Sequence, residues 1–139
     1  MGGMLQTKNE SPASDASLAV DIGKLLSDHH GGDALVMDMR ALNFWTDFFV
    51  IATVTSGTHL SGLERHIKEF ARERDVEILH RSRRPKSNAG QQSDEWCLLD
   101  MGTIVVHLMS SQARSFFELE RLWNTAPLIY QTANPRTEI

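Results

Sequence analysis

The side chains that could do chemistry are six histidines, a single cysteine, and carboxylates set at the ends of apolar runs. A metal centre leaves a trace in sequence as a chelating pair within one element, such as His-x-x-x-His or Cys-x-x-Cys. Neither spacing occurs. His59 and His66 are seven apart on one predicted helix face, His29 and His30 end another helix, and His107 lies inside a strand, so no metal is expected. His107 is read instead as a histidine hydrogen-bonded at the sheet surface. Cys97 sits between Trp96 and Leu98, and its nearest ionisable neighbours, Asp94, Glu95 and Asp100, would oppose a thiolate. Ser56 and His59 have the spacing of a helix cap and no acid partner to complete a triad. The turn Val54 to Thr58 joins a strand to a helix, the usual phosphate position in α/β proteins. It holds only Gly57, and no lysine follows as in a P-loop, so no cofactor is expected.

What remains is surface. Asp47, Asp100, Glu118 and Glu120 stand at element ends beside large apolar residues, an arrangement that suits docking onto a basic protein. The alternative is that they only solvate those ends. Trp123 closes an i, i+3, i+4 stripe and is expected in the core, whereas Trp96 is open to either packing or a partner. Net charge is −4, which argues against coating nucleic acid by charge alone. Arg81, Arg83, Arg84 and Lys86 fall in one stretch, leaving 10 basic against 18 acidic residues elsewhere. The picture is an acidic body with one basic loop.

The elements that must position these residues follow from periodicity. Residues 1–16 are polar and aperiodic and are expected to form a flexible tail. From Ser17, Leu18, Ile22, Leu25 and Leu26 mark a helix that His29-His30-Gly31-Gly32 stops. Strands are predicted at Ala34 to Met39 and Phe48 to Thr53, with an irregular, aromatic-rich segment between them. A helix follows, with Leu60, Leu63, Ile67, Phe70 and Ala71 on one face, and then a strand at Val76 to His80. Phe48 to His80 is therefore expected to be a right-handed parallel crossover. Residues 81–93 read as a mobile basic loop. Trp96 to Leu99 and Ile104 to Met109 form a hairpin around Asp100-Met101-Gly102, and the second strand has almost no polar side, which places it centrally with both faces covered. Ser110 and Ser111 cap a last helix carrying Phe116, Leu119, Leu122 and Trp123. Pro127 closes the domain, and residues 126–139 are expected to be a tail. The fold class is α/β, one domain over 17–125, with a mixed sheet of about five strands flanked by helices. One cysteine, no apolar run of membrane-spanning length and no signal-peptide layout lead to a cytoplasmic expectation without membrane contact.

Two blocks resemble the ribosomal silencing factor family, also called the Iojap family. Trp96, Leu98, Asp100, Gly102, Val105, Val106 and His107, then Arg114, Phe116, Phe117, Leu119, Glu120, Leu122 and Trp123, match W-x-L-x-D-x-G-x-x-V-V-H followed by R-x-F-[YF]-x-L-E-x-L-W. Upstream, Thr46 to Thr53 with Thr55, Ser56 and His59 is similar to D-Y-F-V-I-x-x-G-x-S-x-x-H. Met101, Thr103 and Val54 depart from the common Tyr, Asp and Gly. The resemblance implies a nucleotidyltransferase-like fold without its catalytic acids: Asp38 is followed by Met39 and Arg40, with no second carboxylate to hold two metal ions. It implies a non-catalytic protein that binds the large ribosomal subunit through large-subunit ribosomal protein fourteen. There it would block joining of the small subunit and repress translation when nutrients are short. The expected partner contacts are Asp47, Trp96, Leu98, Asp100, Gly102, His107, Arg114, Glu118 and Glu120, with Arg81, Arg83, Arg84 and Lys86 towards ribosomal RNA. Two other classes stay open: a nucleotidyltransferase-like nucleotide-binding enzyme, and a homodimeric assembly module pairing through the hairpin edge.

Overall fold

Phe48–Val54 and Ile104–Ser110 are almost wholly apolar and β-branched or aromatic, and they form the middle of the sheet. The computed structural model describes residues 12–42, 45–84, 95–122 and 124–132. In chain order the elements are α1 (Pro12–Asp28), β1 (Gly32–Asp38), a 3-10 turn (Arg40–Leu42), β2 (Phe48–Val54), α2 (Gly57–Glu73), β3 (His80–Arg84), β4 (Trp96–Asp100), β5 (Ile104–Ser110), α3 (Ser111–Phe117), α4 (Leu119–Leu122) and β6 (Leu128–Gln131). The sheet runs β3-β4-β5-β2-β1-β6. Among the described residues only β2 and β5 pair in parallel, from Phe48 opposite Ile104 to Val54 opposite Ser110; the other four pairings are antiparallel. All of β5 is buried, as its uninterrupted apolar run predicts.

Alternation along the strands divides two cores. On one side Val36, Phe48, Val50, Ala52, Cys97, Leu99, Ile104, Val106 and Leu108 lie under Ala19, Ile22 and Leu26 of α1 and Leu60, Leu63 and Ile67 of α2. On the other side Leu35, Met37, Phe49, Ile51, Val105 and Met109 meet Ala113, Leu119 and Ala126, with Trp96, Leu98 and Phe117 packed against them.

Several expectations are corrected. The first helix begins at Pro12, inside the expected tail, because Pro is pre-organised for a first helical turn and Ala16 and Leu18 find the core. Val76 and Ile78 pack on the helix-side core but belong to no strand. The strand is His80–Arg84 and it pairs antiparallel with β4, so Phe48 to His80 is not a parallel crossover; β5 is the parallel partner of β2. Part of the expected basic loop is therefore an edge strand. It also covers the hairpin edge on which dimer pairing was expected, and the sheet's edges are β3 and β6. The expected C-terminal tail supplies the sixth strand: Leu128–Gln131 pairs with β1, and Tyr130 packs on the helix-side core with its hydroxyl 3.2 Å from Ser27 Oγ. Gly23 lets it approach, since a Cβ there would lie 3.0 Å from both the Tyr130 ring and Val36. The last helix is not continuous. Glu118 takes φ 48°, its N–H bonds Arg114 O at 2.8 Å, and the chain restarts as α4, so Phe116 and Leu119 no longer share a face. Trp123 lies outside the described residues.

Candidate docking face

On the side of the sheet away from α1 and α2, six rings follow one another in contact. Trp45 meets Phe49 edge-on at 6.3 Å between centroids, and Phe49 meets His107 at 4.7 Å. His107 adjoins Trp96 at 5.9 Å, Trp96 adjoins Phe117 at 4.7 Å, and Phe117 meets Phe116 at 4.9 Å. These separations are those of ordinary aromatic pairs. The middle is buried, whereas the ends are open: Trp45 is 62% and Phe116 78% exposed. Strand alternation puts Trp96 and Leu98 of β4, His107 of β5 and Phe49 of β2 on this face.

His107 lies in the sheet interior rather than at its surface, 4% exposed beneath Trp96 and Phe49. The Trp96 indole N–H donates to its Nδ1 at 3.1 Å, so the neutral ring carries its proton on Nε2. Nε2 is itself buried and has no hydrogen-bond partner among the described residues. Burial pushes the His107 pKa down to about 4, and the ring is uncharged near neutrality. The bond ties the Trp96 indole to β5.

The expected acids divide. Asp100 Oδ1 accepts the Gly102 N–H at 2.8 Å, closing the β4–β5 turn in which Gly102 takes φ 91°, a conformation open to glycine. Asp47 is held beside that turn, its N–H bonding Thr103 O at 3.0 Å, while Thr46 Oγ1 donates to Gly102 O at 3.3 Å. Asp47, Asp100 and Gly102 thus gather at one end of the aromatic row. Glu118, at the end of α3, pairs with Arg121 at 3.4 Å near the other end. Glu120 lies in α4. Arg114, expected at the partner surface, is turned inward and 8% exposed.

The basic residues do not form one patch. Arg81 forms a two-pronged ion pair with Glu64, the Nη2–Oε1 arm at 3.1 Å, and Arg83 reaches Glu95 at 3.5 Å, on the helix side of β3. Arg84 ends β3, and Lys86 lies outside the described residues. Burial pushes the Glu64 carboxyl up, but bonds and charge from Arg81 and Lys68 outweigh it and hold the pKa low. Burial, followed by the charge of Glu64, drives the Cys97 thiol up to about 11, which leaves it un-ionised. At the α2 amino end, Ser56 Oγ accepts the His59 N–H, and the Glu95 carboxylate lies 3.2 Å from where a Gly57 Cβ would be. The chain's own carboxylate thus stands where a phosphate would bind in other α/β proteins. His59 Nδ1 accepts the Thr55 N–H at 3.0 Å, and His29 stacks on His66 at 3.7 Å. Among the described residues no three potential ligands could hold a metal ion, and no helix is long and apolar enough to cross a membrane.

Alternation along the hairpin brings three of the expected contact residues, Trp96, Leu98 and His107, onto one face. The two open ends were not expected: Trp45 falls in the aromatic-rich segment between the first two strands and Phe116 on the last predicted helix, and only consecutive aromatics, Phe44-Trp45 and Phe116-Phe117, mark them in the sequence.

A family model described as "Ribosomal silencing factor during starvation" matches residues 11–138. A ribosomal silencing factor of Treponema pallidum is 39% identical over 102 residues, which covers 73% of this chain and 86% of the relative. A mouse protein named "Mitochondrial assembly of ribosomal large subunit protein 1" is 30% identical over 115 residues, 81% of this chain and 49% of its own length. The crystal structure of a Chromobacterium violaceum protein superposes with a TM-score of 0.64 at 24% identity, covering 82% of this chain and 87% of that one, a likeness of fold.

Proposed function

The chain belongs to the ribosomal silencing factor family, and on that premise we propose that it docks on the large ribosomal subunit and silences translation by occupying a surface. The contact is made by the aromatic row, with large-subunit ribosomal protein fourteen as the partner. The bound body then stands where the small subunit would join. The observation that carries this reading is the pair of exposed rings, Trp45 and Phe116, at the ends of a row whose middle is fixed by packing and the Trp96–His107 bond. Pre-positioned aromatics lose little freedom on binding and are frequent anchors of protein interfaces. Asp47, Asp100 and Glu118 supply an acidic rim suited to a basic protein. The action is steric and needs no catalytic group, in keeping with a protein of the cytoplasm, where ribosomes work.

Arg81 and Arg83 are already paired with carboxylates, so the proposed interface makes no use of them against ribosomal RNA. In the free protein the edge strands β3 and β6 are the places for self-association.

Sedimentation with separated ribosomal subunits at two salt concentrations tests the reading. The protein is expected to travel with the large subunit alone and to reduce joined ribosomes when small subunits are added. Protein left at the top of the gradient at both salts would remove it.

A further inference from the structure

Arg114 lies within α3, yet its guanidinium bonds across the molecule. Its Nη1 donates to the Gly32 carbonyl at 3.2 Å and to Thr53 Oγ1 at 2.9 Å. Gly32 and Thr53 face each other at the end of the β1–β2 pair, where the register shifts between Gly32 and Leu35 and Asp33 takes φ 46°. A bulge of this kind frees backbone groups from the ladder, and a carbonyl away from water needs a donor. Arg114 supplies one.

The consequence runs along the helix. Ser111–Phe117 is too short to be stable alone, so its roll is set by what it bonds and buries: the Ser110 cap on Ala113 N–H, buried Ala113, and Arg114. Side chains advance about 100° per residue around a helix. With Arg114 turned to the sheet, Phe117 at i+3 falls on the same side and Phe116 at i+2 falls nearly opposite. That is the observed arrangement, Phe117 lying 4.7 Å from Trp96 and Phe116 78% exposed.

We propose that Arg114 is a positioning residue of the docking face: its tie to Gly32 and Thr53 sets the roll of α3, seating Phe117 on Trp96 and presenting Phe116, and Arg114 itself does not meet the partner. This rests on the docking reading above. The test uses the full chain as wild type, Arg114→Met and Thr53→Val, the last removing one acceptor without altering Arg114. Two quantities are measured: affinity for purified large ribosomal subunits by sedimentation, and the Trp96 indole N–H resonance, assigned through Trp96→Phe. Arg114→Met is expected to weaken binding about tenfold and to move the Trp96 resonance, and Thr53→Val to do both to a smaller extent, about threefold in affinity. If Arg114→Met weakens binding while the resonance stays in place and Thr53→Val is neutral, Arg114 is a direct contact and the proposal is overturned. Unchanged binding by Arg114→Met also overturns it, and should that variant not fold, Thr53→Val decides alone. Failure of the wild type to bind the large subunit removes the docking reading and this proposal together, whereas the other outcomes strike only the proposal.

Discussion

The two faces of the sheet are made by the same strands, residue by alternate residue, and they are finished differently. On the helix side two 17-residue helices cover aliphatic strand residues completely, with Leu60, Leu63 and Ile67 of α2 buried against them. On the aromatic side the cover is a seven-residue helix and a four-residue one, and the row of rings is exposed at both ends, at Trp45 before β2 and at Phe116 on the outer side of the seven-residue helix. Burying a large apolar side chain stabilises by roughly 1.5–3 kcal/mol, so each strand residue sealed under α1 and α2 adds to the fold's stability. The half-covered face is left with rigid, exposed rings. A period of two thus lets one strand face both ways: Leu99 and Leu108 lie in the helix-side core, while their neighbours Leu98 and His107 lie on the aromatic side, the proposed docking surface.

The strongest way to break this contrast is to truncate one side chain from each face. Ile67→Ala is expected to lower stability by about 2–5 kcal/mol in urea unfolding, because a fully buried side chain leaves a cavity beneath α2. Phe116→Ala should stay within about 0.5 kcal/mol of wild type in the same assay while weakening large-subunit binding tenfold or more. Equal stability losses would mean that Phe116 belongs to the core, and the division between faces would fall.

Acid titration sharpens the contrast, since a buried ionisable group on each face responds differently. His107 is neutral in the fold, with a pKa of about 4 against the ordinary 6.5. The unfolded chain takes up a proton below 6.5 and the folded chain does not until about 4, so the contribution is complete above 6.5 and is lost as pH falls across that window. The loss is at most ~3 kcal/mol at the acid end. His107→Gln, which keeps an acceptor for the Trp96 indole, should flatten stability between those limits in urea titrations at several pH values. An unchanged slope would show that the acid sensitivity has another source.

How much of this was legible depends on whether local pattern or tertiary pairing decided each element. Phe48 to Thr53 and Ile104 to Met109 carry their own signal as near-continuous apolar runs of strand length, and α2 carries its own as an apolar face at helical period. His80–Arg84 carries none: it has no apolar residue, and its strand state comes from pairing with β4 and from the bonds of Arg81 and Arg83 to Glu64 and Glu95. Leu128–Gln131 is too short for periodicity and is fixed by β1. The candidate face was legible as far as alternation reaches, through Trp96, Leu98 and His107. Its open ends were not, because no glycine marks the turn at Glu118, and an aromatic's exposure depends on what the rest of the chain fails to cover.

The smallest expected effect tests whether the helix side uses charge to fix its edge strand. Glu64 is buried on α2 among Leu60, Leu63 and Ile67, and Arg81 of β3 and Lys68 at 3.3 Å keep it ionised. A carboxyl with a lowered folded pKa contributes above its unfolded value, 4.5, and loses that contribution as pH falls through the folded one. This window opens at 4.5, near the foot of the one for His107, so on acidification the aromatic side begins to lose stability before the helix side. In a double-mutant cycle at pH 7, Glu64→Gln and Arg81→Met should show a coupling of about 1 kcal/mol, since Arg81 is partly exposed and its charge is screened. Glu64→Leu combined with Arg81→Met should be close to neutral, because apolar replacement of both partners removes desolvation cost along with attraction. Coupling that persists after the Glu64 carboxyl has been titrated, followed by its own NMR resonance, would show that charge does not fix β3 to α2.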